Sequence, residues 1–265
     1  MKRYIPFVKS DPTVAVIRLQ GVIASGGRGA LNDAVLAPVI EKAFARGKPA
    51  AVALEINSPG GSPVQSSLIG ARIRRLAEEK KIPVIAFVED VAASGGYWLA
   101  VAADEIFADE SSIVGSIGVI SAGFGAHEFM ARHGVERRVY TSGKSKSMLD
   151  PFRPEKPEDV KRLKTILGDV HENFIDHVKS RRGDKLDSET ELFTGEVWLA
   201  KRAQALGLID GIGHLNPMLK DRFGDKVQLR RYGLRRPFLA RFGAQMVDDA
   251  ARAVEERAAF AQFGL

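Results

Sequence analysis

The sequence contains no cysteine. Disulfides, thiolate zinc sites and a cysteine nucleophile are excluded together. Long apolar runs are missing as well: the longest are about seven residues, such as Tyr97 to Ala103, whereas a membrane-spanning helix needs ~20. Met1 to Ser10 carries Lys2 and Arg3 but no apolar core of the kind a secretory signal has. A cytoplasmic chain without a transmembrane segment or signal peptide is the expectation. The five histidines, His127, His133, His171, His177 and His214, fall in no metal-ligand spacing such as HExxH, so no metal is expected. Four of them occupy polar helical or loop positions, where solvated imidazoles are expected. A Gly-x4-Gly-Lys-Ser/Thr phosphate loop is also lacking, and with it any means of ATP-driven unfolding.

What is present is a globular balance: 265 residues, 45% hydrophobic and 27% charged, enough for one domain of ordinary to large size or two small ones. Lysine and arginine exceed aspartate and glutamate by 39 − 33 = +6. The excess is uneven. Arg230, Arg231, Arg235, Arg236 and Arg241 crowd one segment, with Tyr232, Phe238 and Phe242 between them. Such interleaving suits anionic lipid or nucleic acid, although a solvated face beside a helix start accounts for it more simply.

Val14 to Leu19 and Ala50 to Ile56 read as buried strands, and between them Leu36, Val39, Ile40, Ala43 and Phe44 recur at helical spacing. That is one βαβ unit. A second helix carries the stripe Ile69, Ile73, Leu76 and Ala77, and Pro83 then opens a strand from Val84 to Val88. A short helix from Ser94 to Ala102 and strands around Glu105 to Ala108 and Ile117 to Ile120 follow. Strands without alternation, separated by helices, predict a parallel sheet covered on both faces. Further on, Val160, Leu163, Leu167, Val170, Phe174 and Val178 form a seam in a helix begun after Pro157. Ala200, Ala203 and Leu206 mark another that Gly207 ends, and Phe242, Met246, Ala250 and Val254 line a last amphipathic stretch from about Phe238 to Phe263.

Two glycine-containing turns carry the chemistry. Asn57-Ser58-Pro59-Gly60-Gly61-Ser62 lies between a buried strand and a helix, at the strand end where ligands bind in parallel sheets. Its glycines allow backbone N–H groups to face an anion or an oxyanion. Ala92-Ala93-Ser94-Gly95-Gly96-Tyr97 repeats that setting and places Ser94 at a helix start, as an N-cap, a nucleophile or both. A hydroxyl nucleophile needs a base. The polar segment Thr141 to Ser147 offers Lys144 and Lys146.

These turns, together with Val114-Gly115-Ser116-Ile117-Gly118-Val119, Ser142-Gly143-x-x-Lys146, and Thr194-Gly195-Glu196-Val197-Trp198 followed by Ala203 and Gly207-Leu208-Ile209-Asp210, resemble the signal peptide peptidase A family, peptidase family S49. Five motifs stand in family order between about Val14 and Gly213. The resemblance implies an α/β, Clp-protease/crotonase-like fold, a parallel-sheet superhelix of βαβ units with a helical C-terminal extension. The peptidase domain would span residues 1–225, with a C-terminal strand and amphipathic helix in 226–265. It further implies a serine endopeptidase in which Ser94 is the nucleophile and Lys146, 146 − 94 = 52 positions later, is the general base. Ser116 would hydrogen-bond the lysine, and Gly60, Gly61 and Gly95 would form the oxyanion hole. No metal or organic cofactor is implied.

A lysine that acts as a base must be neutral near pH 7.5, about 3 units below its reference value and ~4 kcal/mol uphill, which burial supplies. Lys146 is therefore expected to be covered in the active state. Implied partners are extended apolar peptides, such as signal-peptide remnants or unfolded segments, and further copies of the chain in a ring or dome with active sites shared between protomers. Nucleic acid is not implied. The anchor that usually opens bacterial relatives is not visible, nor is the tandem duplication of long members, so the short form is expected, with at most peripheral membrane contact. Two rivals share the fold: a crotonase-like acyl-CoA enzyme, which would not need both Ser94 and Lys146, and an inactive scaffold, against which Ser94, Lys146 and Ser116 together argue.

Overall fold

The computed structural model describes residues 11–26, 29–233, 254 and 257–265. The chain opens with β1 (Thr13–Gln20), α1 (Asp33–Ala45) and β2 (Ala51–Ser58), the expected βαβ unit. β2 is buried at every position, as a strand covered on both faces requires. Then come α2 (Pro63–Lys80), β3 (Val84–Ala93), α3 (Gly95–Ala100), β4 (Glu105–Ala108), β5 (Ile113–Gly115), α4 (His127–Arg132) and α5 (Pro157–Arg182). β6 (Val197–Leu199), α6 (Ala200–Ala205), β7 (Gly211–Ile212), α7 (Leu215–Phe223) and β8 (Gln228–Tyr232) complete the series. The sheet order is β6-β5-β3-β2-β1-β8, with β4 joining β3 to β7. Every pairing is parallel except β5 with β6. β8 lies beside β1, so the strand of the expected C-terminal extension is itself a member of the sheet.

β3 positions the site because it serves two neighbours in turn. Ile85 to Val88 pair with β4, and Val91 to Ala93 pair with β5. Against β2 its register shifts between Ile56 and Ser58. The sheet therefore turns at Glu89 and Asp90, just before Ser94. One core lies between the sheet and α1, α2 and α3, and a smaller one lies under α7 on the other face. Capping matches the sequence: Asn32 accepts from Val35 N at 3.0 Å at the start of α1, and Ser62 accepts from Gln65 N at 3.4 Å at the start of α2.

Two expectations need correction, the strand after Ser112 and the solvated histidines. The strand expected at Ile117–Ile120 is at Ile113–Gly115 instead, because Gly115 at φ +113° and Ser116 at φ 53° end it. The seam of α5 is buried only at Phe174 and Val178; Val160, Leu163, Leu167 and Val170 are half-exposed. His171 and His177 are not solvated. His171 Nε2 lies 3.0 Å from the Ile117 carbonyl oxygen. The His177 ring stacks on Trp98 at 4.5 Å, and its Nε2 is 3.2 Å from the Trp98 carbonyl oxygen. Of the basic segment, Arg231 bonds the buried Glu55 at 2.6 Å and Tyr232 packs in the larger core. Arg235, Arg236, Phe238, Arg241 and Phe242 lie outside the described residues, as do Met246 and Ala250 of the last amphipathic stretch.

Burial is the main cause holding the His177 imidazole below its usual 6.5; the bond to Trp98 opposes it, and the Arg181 charge adds to it. The unfolded chain gains a proton here that the native chain resists, so stability falls as pH drops below about 6.5. Melting temperatures between pH 7 and pH 5 should therefore fall more steeply in the native sequence than in His177→Gln. Parallel slopes would contradict this.

Candidate active site

Ser94 joins β3 to α3 with φ 51° and ψ −120°, a conformation that costs a non-glycine residue about 1–3 kcal/mol. Ser94 N donates to Gly115 O at 2.8 Å, and Ser94 O accepts from Trp98 N at 3.0 Å. The backbone is thus pinned from both sides. The hydroxyl makes no capping bond, and among the described residues it has no hydrogen-bond partner. Of the two roles open to it, the cap is not the one it performs here. Replacing it by glycine should relieve the strain, raising stability by about 1 kcal/mol after glycine's own entropy cost, whereas Ser94→Ala should gain nothing. Equal melting temperatures for the two variants would remove the strain argument.

The glycine turn presses directly on this residue. A Cβ on Gly60 would lie 2.8 Å from Ser94 Cβ and 2.7 Å from Gly95 N, and one on Gly96 would lie 2.3 Å from Ser58 O. Only glycine lets the two strand ends close on each other. The turn is held from behind by Ile23, whose N donates to Gly60 O at 2.8 Å while its O accepts from Ser62 N at 2.7 Å. Gly60 N–H is occupied, donating to Ser58 Oγ at 3.2 Å, and Ser58 Oγ donates in turn to Gly21 O at 2.7 Å. Among the described residues the N–H groups of Gly61 and Gly95 donate to nothing. Asn57, before the first turn, donates through its side-chain amide to the Asp90 carboxylate before the second. Neither Ser58 nor the Asn57–Asp90 pair was singled out from sequence. Their partners lie 37 and 33 positions away, and local pattern does not reveal such contacts.

Ser94 and Ser116 each follow directly on the last residues paired between β3 and β5, Ala93 and Gly115. Ser116 N donates to Glu196 O at 2.7 Å, which ties the motif before β6 to the same place. Lys146 is not brought to the site by an observed bond. It stands exposed on a turn, its N–H donating to Gly143 O at 3.2 Å, and among the described residues its ammonium has no partner. The whole segment around it is of this kind. From Gly118 to Asn173, 173 − 118 + 1 = 56 residues, none is buried, although Phe124 is 94% exposed, Tyr140 91% and Ile120 86%. Among the described residues no helix is long and apolar enough to cross a membrane, and no acidic or histidine cluster fits a metal ion.

The profile of peptidase family S49 matches residues 76–225, which include Ser94, Ser116 and Lys146. A chloroplastic serine protease, SPPA, of Arabidopsis thaliana is 32% identical over 76% of this chain and 30% of its own length. A Brucella abortus protein named Na(+)/H(+) antiporter NhaA is 48% identical over 100% of this chain but only 39% of its own length. The chain thus spans less than two-fifths of either relative, and an antiporter's name is not carried over from so partial a match. A solved mutant of the 1510-N membrane-bound stomatin-specific protease, in complex with a substrate peptide, superposes at a TM-score of 0.54. At 18% identity over 93% of this chain and 99% of that one, it shares the fold. A strained serine beside unoccupied backbone N–H groups thus sits inside a profile match that covers more than half of the sequence, and the chain belongs to peptidase family S49.

Proposed function

We propose that the chain is an endopeptidase that works through a Ser94–Lys146 dyad and an acyl-enzyme. Ser94 Oγ attacks the scissile carbonyl while the Lys146 amine takes its proton and passes it to the leaving amine. Water, deprotonated by the same lysine, then releases the acyl group. The N–H groups of Gly61 and Gly95 hold the oxyanion, each worth about 3 kcal/mol, whereas Gly60 shapes the turn and its own N–H serves Ser58. The Ser116 hydroxyl, one residue past the β5 strand that pairs with β3, orients the lysine. The observation that carries this reading is the pinned, strained Ser94 with an unbonded hydroxyl beside two idle N–H donors. A fluorophosphonate probe should label the purified protein and fail on Ser94→Ala; equal labelling of both would refute the assignment.

Lys146 belongs, in this reading, to a neighbouring copy. A lysine base needs burial, and the 56-residue stretch from Gly118 to Asn173 has no core of its own to cover it. A second chain supplies that cover, within a closed homo-oligomer such as a ring or dome. Substrates are extended apolar peptides, signal-peptide remnants or unfolded segments, since the sequence has no ATPase loop to unfold a domain. Peptidyl-coumarins of apolar sequence should be cut while a stable folded domain survives. Rapid digestion of that domain without an added ATPase would contradict it. Peripheral contact with an anionic membrane through Arg230, Arg235, Arg236 and Arg241, leaving out Arg231, which pairs with Glu55, is a further part of the proposal. Liposome binding unchanged by reversing those charges would remove it.

A further inference from the structure

We infer that the exposed apolar face of α1 and α2 receives the Gly118–Asn173 segment of a second copy. The inference rests on the proposal that Lys146 comes from a neighbour, and it names where that neighbour docks. α2 carries no charge from Pro63 through Ala71, and Val64, Leu68 and Ala71 are exposed at helical spacing. Val64 is 64% exposed and Leu68 46%. Asp33 N donates to Gln65 Oε1 at 2.9 Å, so the start of α1, with exposed Val35, lies beside the first turns of α2. The apolar sides of both helices are buried in the core, but Val35 of α1 and Val64, Leu68 and Ala71 of α2 stay uncovered along one edge.

Position selects the occupant. The face begins where the glycine turn ends, and that turn touches Ser94, with 2.8 Å between a Gly60 Cβ and Ser94 Cβ. A neighbour's Lys146 that reaches Ser94 must bring its flanking residues over this end of α2. Those residues include Ile120, Phe124, Phe129 and Tyr140, large and exposed, on a stretch with no buried residue. Val64, Leu68 and Ala71 on α2 meet the exposed apolar side chains of that segment, Ile120, Phe124, Phe129 and Tyr140. Burying both removes from water what neither chain covers alone.

Because the chain has no cysteine, a disulfide between introduced residues is unambiguous. Chains carrying Leu68→Cys, mixed with chains carrying Phe124→Cys and oxidised, should cross-link through the mixed pair well above mixtures in which Glu78→Cys, at the far end of α2, replaces Leu68→Cys. Leu68→Asp should weaken association by about ten- to a hundredfold, the burial of one leucine side chain, read by sedimentation velocity. Peptidase activity should fall with it and return at high protein concentration. Leu68→Ser provides a milder variant should the aspartate disturb folding. Wild-type association and activity in both variants, or cross-linking no better than the Glu78→Cys control, would overturn the docking face. The parent reading is tested separately. If Ser94→Ala and Lys146→Ala chains still complement one another while Leu68 proves irrelevant, the dyad is shared and only this face is wrong. If they do not complement, the shared dyad itself falls.

Discussion

Mixed under conditions that allow subunit exchange, Ser94→Ala and Lys146→Ala chains, each inactive alone, should regain activity. A site composed of one chain's serine and its neighbour's lysine is intact when the first partner carries the lysine change and the second the serine change. In a random one-to-one mixture of a closed oligomer about a quarter of the sites meet that condition. The recovered rate should approach that fraction of wild type, from a starting point at least about a thousandfold lower, the cost of losing a member of a catalytic pair. Lys146→Arg should be as inactive as the alanine variant and complement equally, because a guanidinium does not deprotonate in a protein. Recovery rests on the exposure of Lys146 and on the absence of any buried residue between Gly118 and Asn173. No recovery despite demonstrated exchange would place the dyad within one chain. Substantial turnover by Lys146→Ala alone would shift the base to Lys144, two positions away in the same polar turn.

The parts of this picture legible in the sequence are those whose cause is local. Val14 to Leu19, Ala50 to Ile56 and the helix between them announce themselves by apolar spacing. Ser94 is visible because a small residue on each side, a strand before it and a helix after it are all adjacent in the chain. The glycine pair at Gly60 and Gly61 marks a close approach without saying what approaches; the partner, Ser94, is a contact of tertiary structure. The strand beyond Ser112 was displaced because Ile117 to Ile120 has the apolar content of a strand. The backbone at Gly115 and Ser116 instead turns out of the sheet at positive φ. His177 looked solvated from its polar neighbours on α5, yet it meets Trp98, 79 positions earlier. The seam of α5 is the most instructive case. Its spacing correctly signals a face to be covered, but periodicity carries no information on which chain covers it, and within one chain the first half of that face stays half-exposed.

Gly60→Ala should cost about a hundred- to a thousandfold in kcat/KM while leaving the chain able to fold. A methyl group there would sit 2.7 Å from Gly95 N, 2.8 Å from Ala93 O and 2.8 Å from Ser94 Cβ. Two of these are backbone atoms on either side of Ser94, the proposed nucleophile, so no flexible side chain can yield. The φ of +101° adds strain of its own. Either the turn retreats or Ser94 does, by something near an ångström. A misplacement of that size costs about a hundredfold, and drawing the Gly61 N–H away from the proposed oxyanion position costs about 10²- to 10³-fold. The two losses overlap because one movement causes both. Stability should fall by about 1–3 kcal/mol, measured by urea denaturation, too little to unfold a domain of this size. Gly26→Ala is the matched control: nothing lies within 4 Å of its Cβ position, and both activity and stability should stay at wild type. The fluorophosphonate probe separates the two routes to inactivity. A Gly60→Ala protein that keeps its native circular dichroism yet labels much more slowly has lost alignment between nucleophile and oxyanion donors. Wild-type labelling and turnover in that variant would show that the Gly60–Ser94 contact does not govern the site.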